Sequence, residues 1–277
     1  MHFRFHSYFF YINRMKKLIL LSLIFLLFVL SSSSSSKEMY TNRHVFLAIR
    51  SYNRPKYLKQ TLDSLSTVNK RLVSKIWIYD DGSTDPDTIR ILRTHPLIST
   101  NNVQVKMAQP NVGCEQSYLD LLTAMKPHRE ESECYCIVDN DVVFAKNAFD
   151  DLIAGYDACR RTFGETDPIV LSGFRPTNNH NYDNTTDYPL FQKTECVGAV
   201  CYLFDDLSFS TVYKGWENRF EPPEQRGDGS DWGVCRLIGK SPNMHFCVLK
   251  HGVVNHVGAE GLHSDADTYD TDELFNK

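Results

Sequence analysis

The sequence predicts an α/β fold, a mostly parallel central sheet flanked by helices, and three observations carry that expectation. Short apolar runs rich in β-branched residues recur along the chain at the length of buried strands. The stretches between them repeat their apolar residues at helical spacing. The acidic motifs fall at the ends of the runs, and ligands of open α/β sheets bind there, where loops converge at the carboxyl ends of strands. With 277 residues, 42% hydrophobic and 23% charged, the chain has enough apolar content for one sizeable core.

The elements follow in order. Val45 to Ile49 is the first strand candidate. Pro55 stands where a first-turn proline opens a helix, since its missing N–H is not needed there. Leu58, Leu62 and Leu65 then form one apolar stripe at i, i+4, i+7. Ile76 to Tyr79 reads as the second strand and runs into Asp80-Asp81-Gly82-Ser83. Ile89 to Leu92 suggests another helix and Val103 to Met107 the third strand; Leu119, Leu122 and Met125 lie on a further helix, and Cys134 to Val138 form the fourth strand. Such alternation favours parallel strands covered on both faces. The second half is less regular. Ile169 to Leu171, Val197 to Phe204, Phe246 to Leu249 and Val253 to Val257 read as strands around an asparagine-rich loop at Asn178 to Asp187, and the tail from Asp265 is acidic.

Residues 1–36 are set apart. Leu18 to Leu30 is apolar except for Ser22 and follows Arg14, Lys16 and Lys17. Its length fits a signal-peptide apolar region better than the roughly twenty residues of a bilayer span. Ser31 to Ser36 is then a cleavage region or, if the segment persists as an anchor, a stem that ties the chain to the membrane. The basic flank favours a cytoplasmic N-terminus. The remainder is therefore expected in the secretory pathway, as a type II membrane protein of the Golgi or endoplasmic reticulum lumen, or outside the cell. The eight cysteines contain no C-x2-C pair, which argues against structural zinc. Cys134 and Cys136 share one face of a strand, as buried thiols or as members of oxidised pairs. Asn184-Thr185-Thr186 is the one glycosylation sequon. A net charge of -4 leaves no basic face for nucleic acid.

Asp139-Asn140-Asp141 directly follows the apolar strand Cys136-Ile137-Val138. Two carboxylates one residue apart at a strand end both reach a divalent ion, and hard cations complete their shell with phosphates and water. An EF-hand is excluded because Val143 and Phe144 stand where a ligand and glycine are needed. Haloacid-dehalogenase-like phosphatases spell a similar motif and also resemble Gly227-Asp228-Gly229-Ser230-Asp231. They carry the first motif on the first strand, however, and the second after an apolar strand, where this chain has Pro222 to Arg226. That class, acting through Asp139 and Asp141, is the alternative.

Ala48 to Pro55 with Leu58, then Ile78 to Asp85, Asn111-Val112-Gly113 and Asp139-Asn140-Asp141, in that order, resemble the start of a glycosyltransferase family 2 domain of the GT-A (Rossmann-like) fold. The resemblance covers about residues 44–155. It implies one catalytic domain over residues 37–277, with a nucleotide-binding half (44–155) and an acceptor-binding half (156–264). It also implies a nucleotide-diphosphate-sugar donor, UDP-sugar by family expectation, a Mn2+ or Mg2+ ion, and inversion at the anomeric carbon. The acceptor would be a glycan, glycoprotein or lipid hydroxyl. Ser51, Tyr52, Arg54, Asp80, Asp81, Gly113, Asp139 and Asn140 would bind the donor, with Tyr52 packing on the base, Asp80 or Asp81 holding uracil or ribose, and Asp139 touching ribose or metal. Asp141 would ligate the metal directly. Two departures stand out: Arg50 replaces a small residue or proline, and Glu115, Gln116 and Ser117 stand where an arginine often follows the Asn-x-Gly element.

In the second half, Asp231 of Gly229-Ser230-Asp231-Trp232 is similar to the general base of inverting GT-A enzymes. Trp232 would stack on a sugar, with Asp228 beside it, while Ser230 or Asp231 capping a following helix is the structural alternative. The segment His251 to Ser264 resembles a C-terminal histidine element, and His256, then His263, is expected on the metal. A GT-A module that binds sugar without catalysis is a further alternative. Nucleotidylyltransferases are disfavoured, since their glycine-rich loop with arginine is absent after the first strand.

Overall fold

The computed structural model describes residues 43–277 except 178–181, 183–186, 196, 218–229, 242, 260–271, 273–274 and 276–277, together with the side chains of 217, 230–232, 236 and 239. Strand β1 (Val45–Ser51) is buried along its whole length. It feeds α1 (Pro55–Thr67), whose Tyr57, Leu58, Thr61, Leu62 and Leu65 face the core. Then come β2 (Val73–Asp80), α2 (Pro86–Thr94), β3 (Val103–Met107), α3 (Cys114–Met125), β4 (Cys134–Asp139) and the short β5 (Val142–Phe144). Helix α4 (Ala148–Phe163), β6 (Ile169–Ser172), β7 (Phe191–Lys193), β8 (Cys201–Asp205), α5 (Asp206–Glu217), α6 (Ser230–Lys240), β9 (His245–Leu249) and β10 (Val254–His256) complete the order.

Eight strands form one sheet in the order β3-β2-β1-β4-β8-β6-β9-β7. β3, β2, β1 and β4 are parallel, and β6 pairs in parallel with β9. β8 runs antiparallel between β4 and β6, and β7 caps the edge antiparallel to β9. The expected mostly parallel sheet is present, with reversals confined to the second half. β5 and β10 form a separate antiparallel pair. Strand side chains alternate between two apolar clusters, as a sheet covered on both faces requires. Val45, Leu47 and Ile49 face the cluster under α1 and α4, while Phe46 and Ala48 face the one under α3 and α5.

One predicted strand is too long. Val197 to Phe204 was expected to be continuous, but β8 starts at Cys201, because Gly198 turns the chain and Val200 N donates to the Gly198 carbonyl at 2.8 Å. Cys134 and Cys136 are buried free thiols, and Cys136 Sγ lies 3.9 Å from Cys201 Sγ. Cys235 is disulfide-bonded. Among the described residues no helix is long and apolar enough to cross a membrane. The run Leu18 to Leu30 and the sequon at Asn184 lie outside the described residues.

Candidate active site

The sheet register brings the motifs together. Ser51, at the end of β1, pairs with Asp80 at the end of β2, and Arg50 pairs with Asp139 at the end of β4. Three acidic or polar strand ends thus lie side by side at the carboxyl ends of neighbouring strands, where parallel strands direct their following loops.

The first acidic pair is bonded inward. Asp80 is fully buried, accepting from Ser83 N at 2.8 Å and Ser83 Oγ at 2.5 Å. Asp81 accepts from Asn111 Nδ2 at 2.8 Å and from the backbone N–H groups of Val112 and Gly113, each at 3.0 Å. Burial raises the Asp81 carboxyl above its ordinary range, and those two N–H groups pull against the rise. Gly82, at φ 72°, permits the approach, since a Cβ there would lie 2.7 Å from Asn111 N. The pair therefore fixes the loop leading to Gly113 and α3. Tyr52, by contrast, leaves 36% of its surface exposed above the same strand ends.

The second acidic pair is held by side chains, two of them arginines. Arg50 Nε and Nη2 both donate to Asp139 Oδ1, at 2.9 and 2.5 Å. The Arg50 guanidinium also lies 5.1 Å from the centre of the Tyr118 ring and 3.5 Å from Cys114 Sγ. Asp141 Oδ2 accepts from Arg54 Nη1 at 2.6 Å and lies 3.2 Å from His256 Nε2. Burial pushes both carboxyls upward. For Asp139 it prevails over Arg50, and Asp141 adds to the rise. For Asp141 the combined pull of His256 and Arg54 outweighs burial and holds the group below the usual carboxylate range. Asp141 Oδ1 is buried and has no hydrogen-bond partner among the described residues. A buried carboxylate oxygen left in that condition is costly unless it meets a cation.

His256 reaches Asp141 because β10 pairs with β5, the strand directly after the motif, placing His256 opposite Val142. Val257 N then donates to the Asp141 carbonyl at 2.8 Å. At Gly258 a Cβ would stand 2.1 Å from Asp141 Oδ2 and 2.6 Å from Arg54 Nη2, so only glycine lets the chain pass there. Asn140 is buried and turned toward β1, its Nδ2 lying 3.3 Å from the Asn53 carbonyl.

The structure thus gathers Ser51, Tyr52, Arg54, Asp80, Asp81, Gly113, Asp139, Asn140, Asp141 and His256 about the carboxyl ends of β1, β2 and β4. Asp228 and His263 lie outside the described residues. Helix α6 begins at Ser230, which places Asp231 and Trp232 in its first turn. Three contributors were missed in the sequence. Arg50 was visible only as a departure from pattern, Asn53 as part of a motif, and Gly258 as one glycine of a flexible-looking loop. Among the described residues no three His, Cys, Asp or Glu side chains converge into a ready-made cation cage. The residues nonetheless fit a divalent ion, through the unpartnered Asp141 Oδ1 beside His256, with phosphate and water left to fill the shell.

A mostly parallel sheet with acidic motifs at these strand ends fits a GT-A fold. The chain belongs to glycosyl transferase family 2, whose model matches residues 47–206. That membership removes the phosphatase reading. Among solved structures it resembles S. aureus TarS (TM-score 0.51, 15% identity, covering 73% of this chain and 35% of that one). It also resembles GalNAc-T7 with UDP, GalNAc and Mn2+ (TM-score 0.57, 12% identity, 77% and 43%). S. aureus TarS 1-349 in complex with UDP-GlcNAc is a third (TM-score 0.50, 14% identity, 73% and 55%). At these identities the likeness is one of fold, and the chain spans between a third and just over half of each neighbour's length. A search of curated protein sequences finds no match.

Proposed function

We propose that this chain is a glycosyltransferase that uses a divalent ion, Mn2+ or Mg2+, and moves a sugar from a UDP-sugar to a hydroxyl of a glycan, protein or lipid with inversion. The observation that carries the proposal is Asp141, a buried carboxylate with one unpartnered oxygen, held below the usual carboxylate range next to His256. Asp141 and His256 would hold the ion, with Asp139 two residues before Asp141 in the same motif. When bound there, the ion supplies positive charge that steadies the departing diphosphate. The UDP in the GalNAc-T7 structure and the UDP-GlcNAc in the TarS structure support the choice of donor.

The chain's own residues do the remaining work. Tyr52 offers an exposed ring to the base, and Asp81 shapes the adjoining wall by fixing the loop at Asn111 to Gly113. Arg54 brings a guanidinium to the diphosphate, a geometry arginine serves better than lysine. Asp231, in the first turn of α6, takes the proton of the attacking hydroxyl as general base, with Trp232 stacking on the acceptor sugar. The basic and apolar N-terminal segment would deliver the domain into the secretory pathway, and the disulfide at Cys235 suits that oxidising compartment.

The test is nucleotide-sugar hydrolysis by the purified chain across UDP- and GDP-sugars, with Mn2+ or with EDTA, beside Asp141→Asn. Metal-dependent release of one nucleoside diphosphate, lost in the variant, supports the reading. Equal turnover in EDTA, or in Asp141→Asn, refutes it.

A further inference from the structure

The contact that the proposed function leaves unused is the ion pair between Arg54 and Asp141. Arg54 follows Asn53 at the end of β1, and both are in the left-handed region, at φ 60° and φ 49°. Asparagine visits that region readily but arginine does not, and two such residues in a row persist only when their surroundings dictate it. They do so here. Asn53 Oδ1 accepts from Thr84 N and Asp85 N, each at 3.0 Å, Asn53 N donates to Ser83 Oγ at 2.7 Å, and Asn140 Nδ2 reaches the Asn53 carbonyl. The turn after β2 and the middle residue of the acidic motif thus aim Arg54 at Asp141. Pro55 then starts α1, so the arginine sits on a stiff corner.

Arg54 is also the more accessible member of its pair, with 29% of its side chain exposed against 5% for Asp141. Its guanidinium lies 4.6 Å from the centre of the Tyr57 ring, a second seat for the charge. One carboxylate balances one such neighbour, not two: a divalent ion and a guanidinium on the two oxygens of Asp141 repel each other at short range.

We propose that Arg54 and the divalent ion are alternatives on Asp141, and that Arg54 exchanges its carboxylate for the donor's diphosphate when the ion binds. The inference rests on the proposed metal site. A guanidinium released beside that site meets an anion of matching geometry, since arginine pairs with phosphate as it does with carboxylate. Diphosphate binding draws Arg54 off Asp141 and so favours the ion, and by linkage the ion favours diphosphate to the same degree. Ion and nucleotide therefore bind cooperatively through Arg54.

The experiment is calorimetric titration of the full chain with Mn2+ alone, and with UDP at saturating Mn2+, in the unsubstituted protein and in Arg54→Met, Arg54→Lys and Asp141→Asn. Removing the competing cation should tighten Mn2+ binding in Arg54→Met roughly tenfold while UDP binding weakens by a similar factor. Arg54→Lys, which keeps a positive charge at the site, should restore part of the competition, and it carries the test if the methionine variant does not fold. Unchanged or weaker Mn2+ binding in the variants overturns the exchange, whatever happens to UDP, because a simple donor ligand or a structural residue gives that result. No Mn2+ binding in the unsubstituted chain, or equal binding in Asp141→Asn, overturns the metal site itself and this inference with it.

Discussion

Two acidic pairs lie at the carboxyl ends of one sheet's strands, and the fold treats them in opposite ways. Asp80 and Asp81, at the end of β2, are bonded by a serine, an asparagine and backbone N–H groups of the same neighbourhood. Asp139 and Asp141, around the end of β4, are held by side chains: the Arg50 guanidinium on the first, the Arg54 guanidinium and the His256 imidazole on the second. Backbone donors cannot leave without unmaking the loop, whereas a guanidinium on a flexible side chain can trade one anion for another. The nature of the partner, more than carboxylate content, separates an acidic motif that builds a wall from one available for exchange. Asp141 carries the contrast furthest, with one oxygen taken by Arg54 and His256 and the other unpartnered among the described residues.

Breaking the exchangeable pair should have the largest effect on activity. Asp141→Asn is expected to lower metal-dependent donor turnover by about a thousandfold, the scale seen when a single preorganised charge is removed from an active site. Its thermal midpoint should move by only a few degrees, read by calorimetry beside the kinetics. Arg50→Met tests the other exchangeable contact, where a buried charge loses its partner, and a loss of about 3 kcal/mol in denaturant unfolding is expected. Adding Asp139→Asn should recover much of it. If the double variant is no better than Arg50→Met, the arginine packs rather than pairs.

The pair that builds the wall should fail differently. Asp81→Ala leaves two backbone N–H groups and the Asn111 amide without their acceptor, so unfolding stability should fall by about 2–3 kcal/mol. Donor KM should rise while kcat changes little, because the loop loosens without loss of a reacting group. A kcat collapse with KM unchanged would erase the distinction between the pairs.

How much of this was legible in the sequence depended on what each feature requires. β1 to β4 were legible because parallel, doubly covered strands must be apolar and β-branched. The direction of β8 was not, since an apolar run does not say which way it enters the sheet. β5 and β7, three residues each, are defined by their partners and carry no pattern of their own. The stretch Val197 to Val200 is apolar yet turns at Gly198, so composition overstated the strand. In the site, Asp139, Asp141 and His256 announced themselves by residue type and position. Arg50 did not, because a charged residue inside a buried strand makes sense only when the register sets it beside Asp139. The inward bonding of Asp81 was hidden for the same reason: its partners come from a loop about thirty residues away, whereas Asp80 is bonded by Ser83 of its own turn.

A third carboxylate tests whether pairing with one arginine is enough to keep an acidic group charged. Asp157, on α4, is buried and lies 3.1 Å from Arg43 Nε. Burial pushes its carboxyl up to about 6, with Arg43 and Arg161 opposing and Glu165 adding to the rise. The folded protein therefore holds this proton more tightly than the unfolded chain does. Asp157 contributes its stability in full below the unfolded value near 4, and that contribution is lost as pH rises through about 6. A displacement of about two pH units bounds the effect at roughly 3 kcal/mol, and the Arg43 contact forgone in an asparagine variant reduces the net gain to about 1–2 kcal/mol. Asp157→Asn should accordingly flatten the stability profile between pH 4 and 6 and match or exceed the unsubstituted chain at pH 7.5, as read from urea midpoints across that range. Asp141 should show the reverse slope, since His256 and Arg54 hold it below the usual range. Parallel profiles for the Asp157 and Asp141 variants would mean that burial alone decides the charge of these groups, and that the partners of Asp141 add nothing.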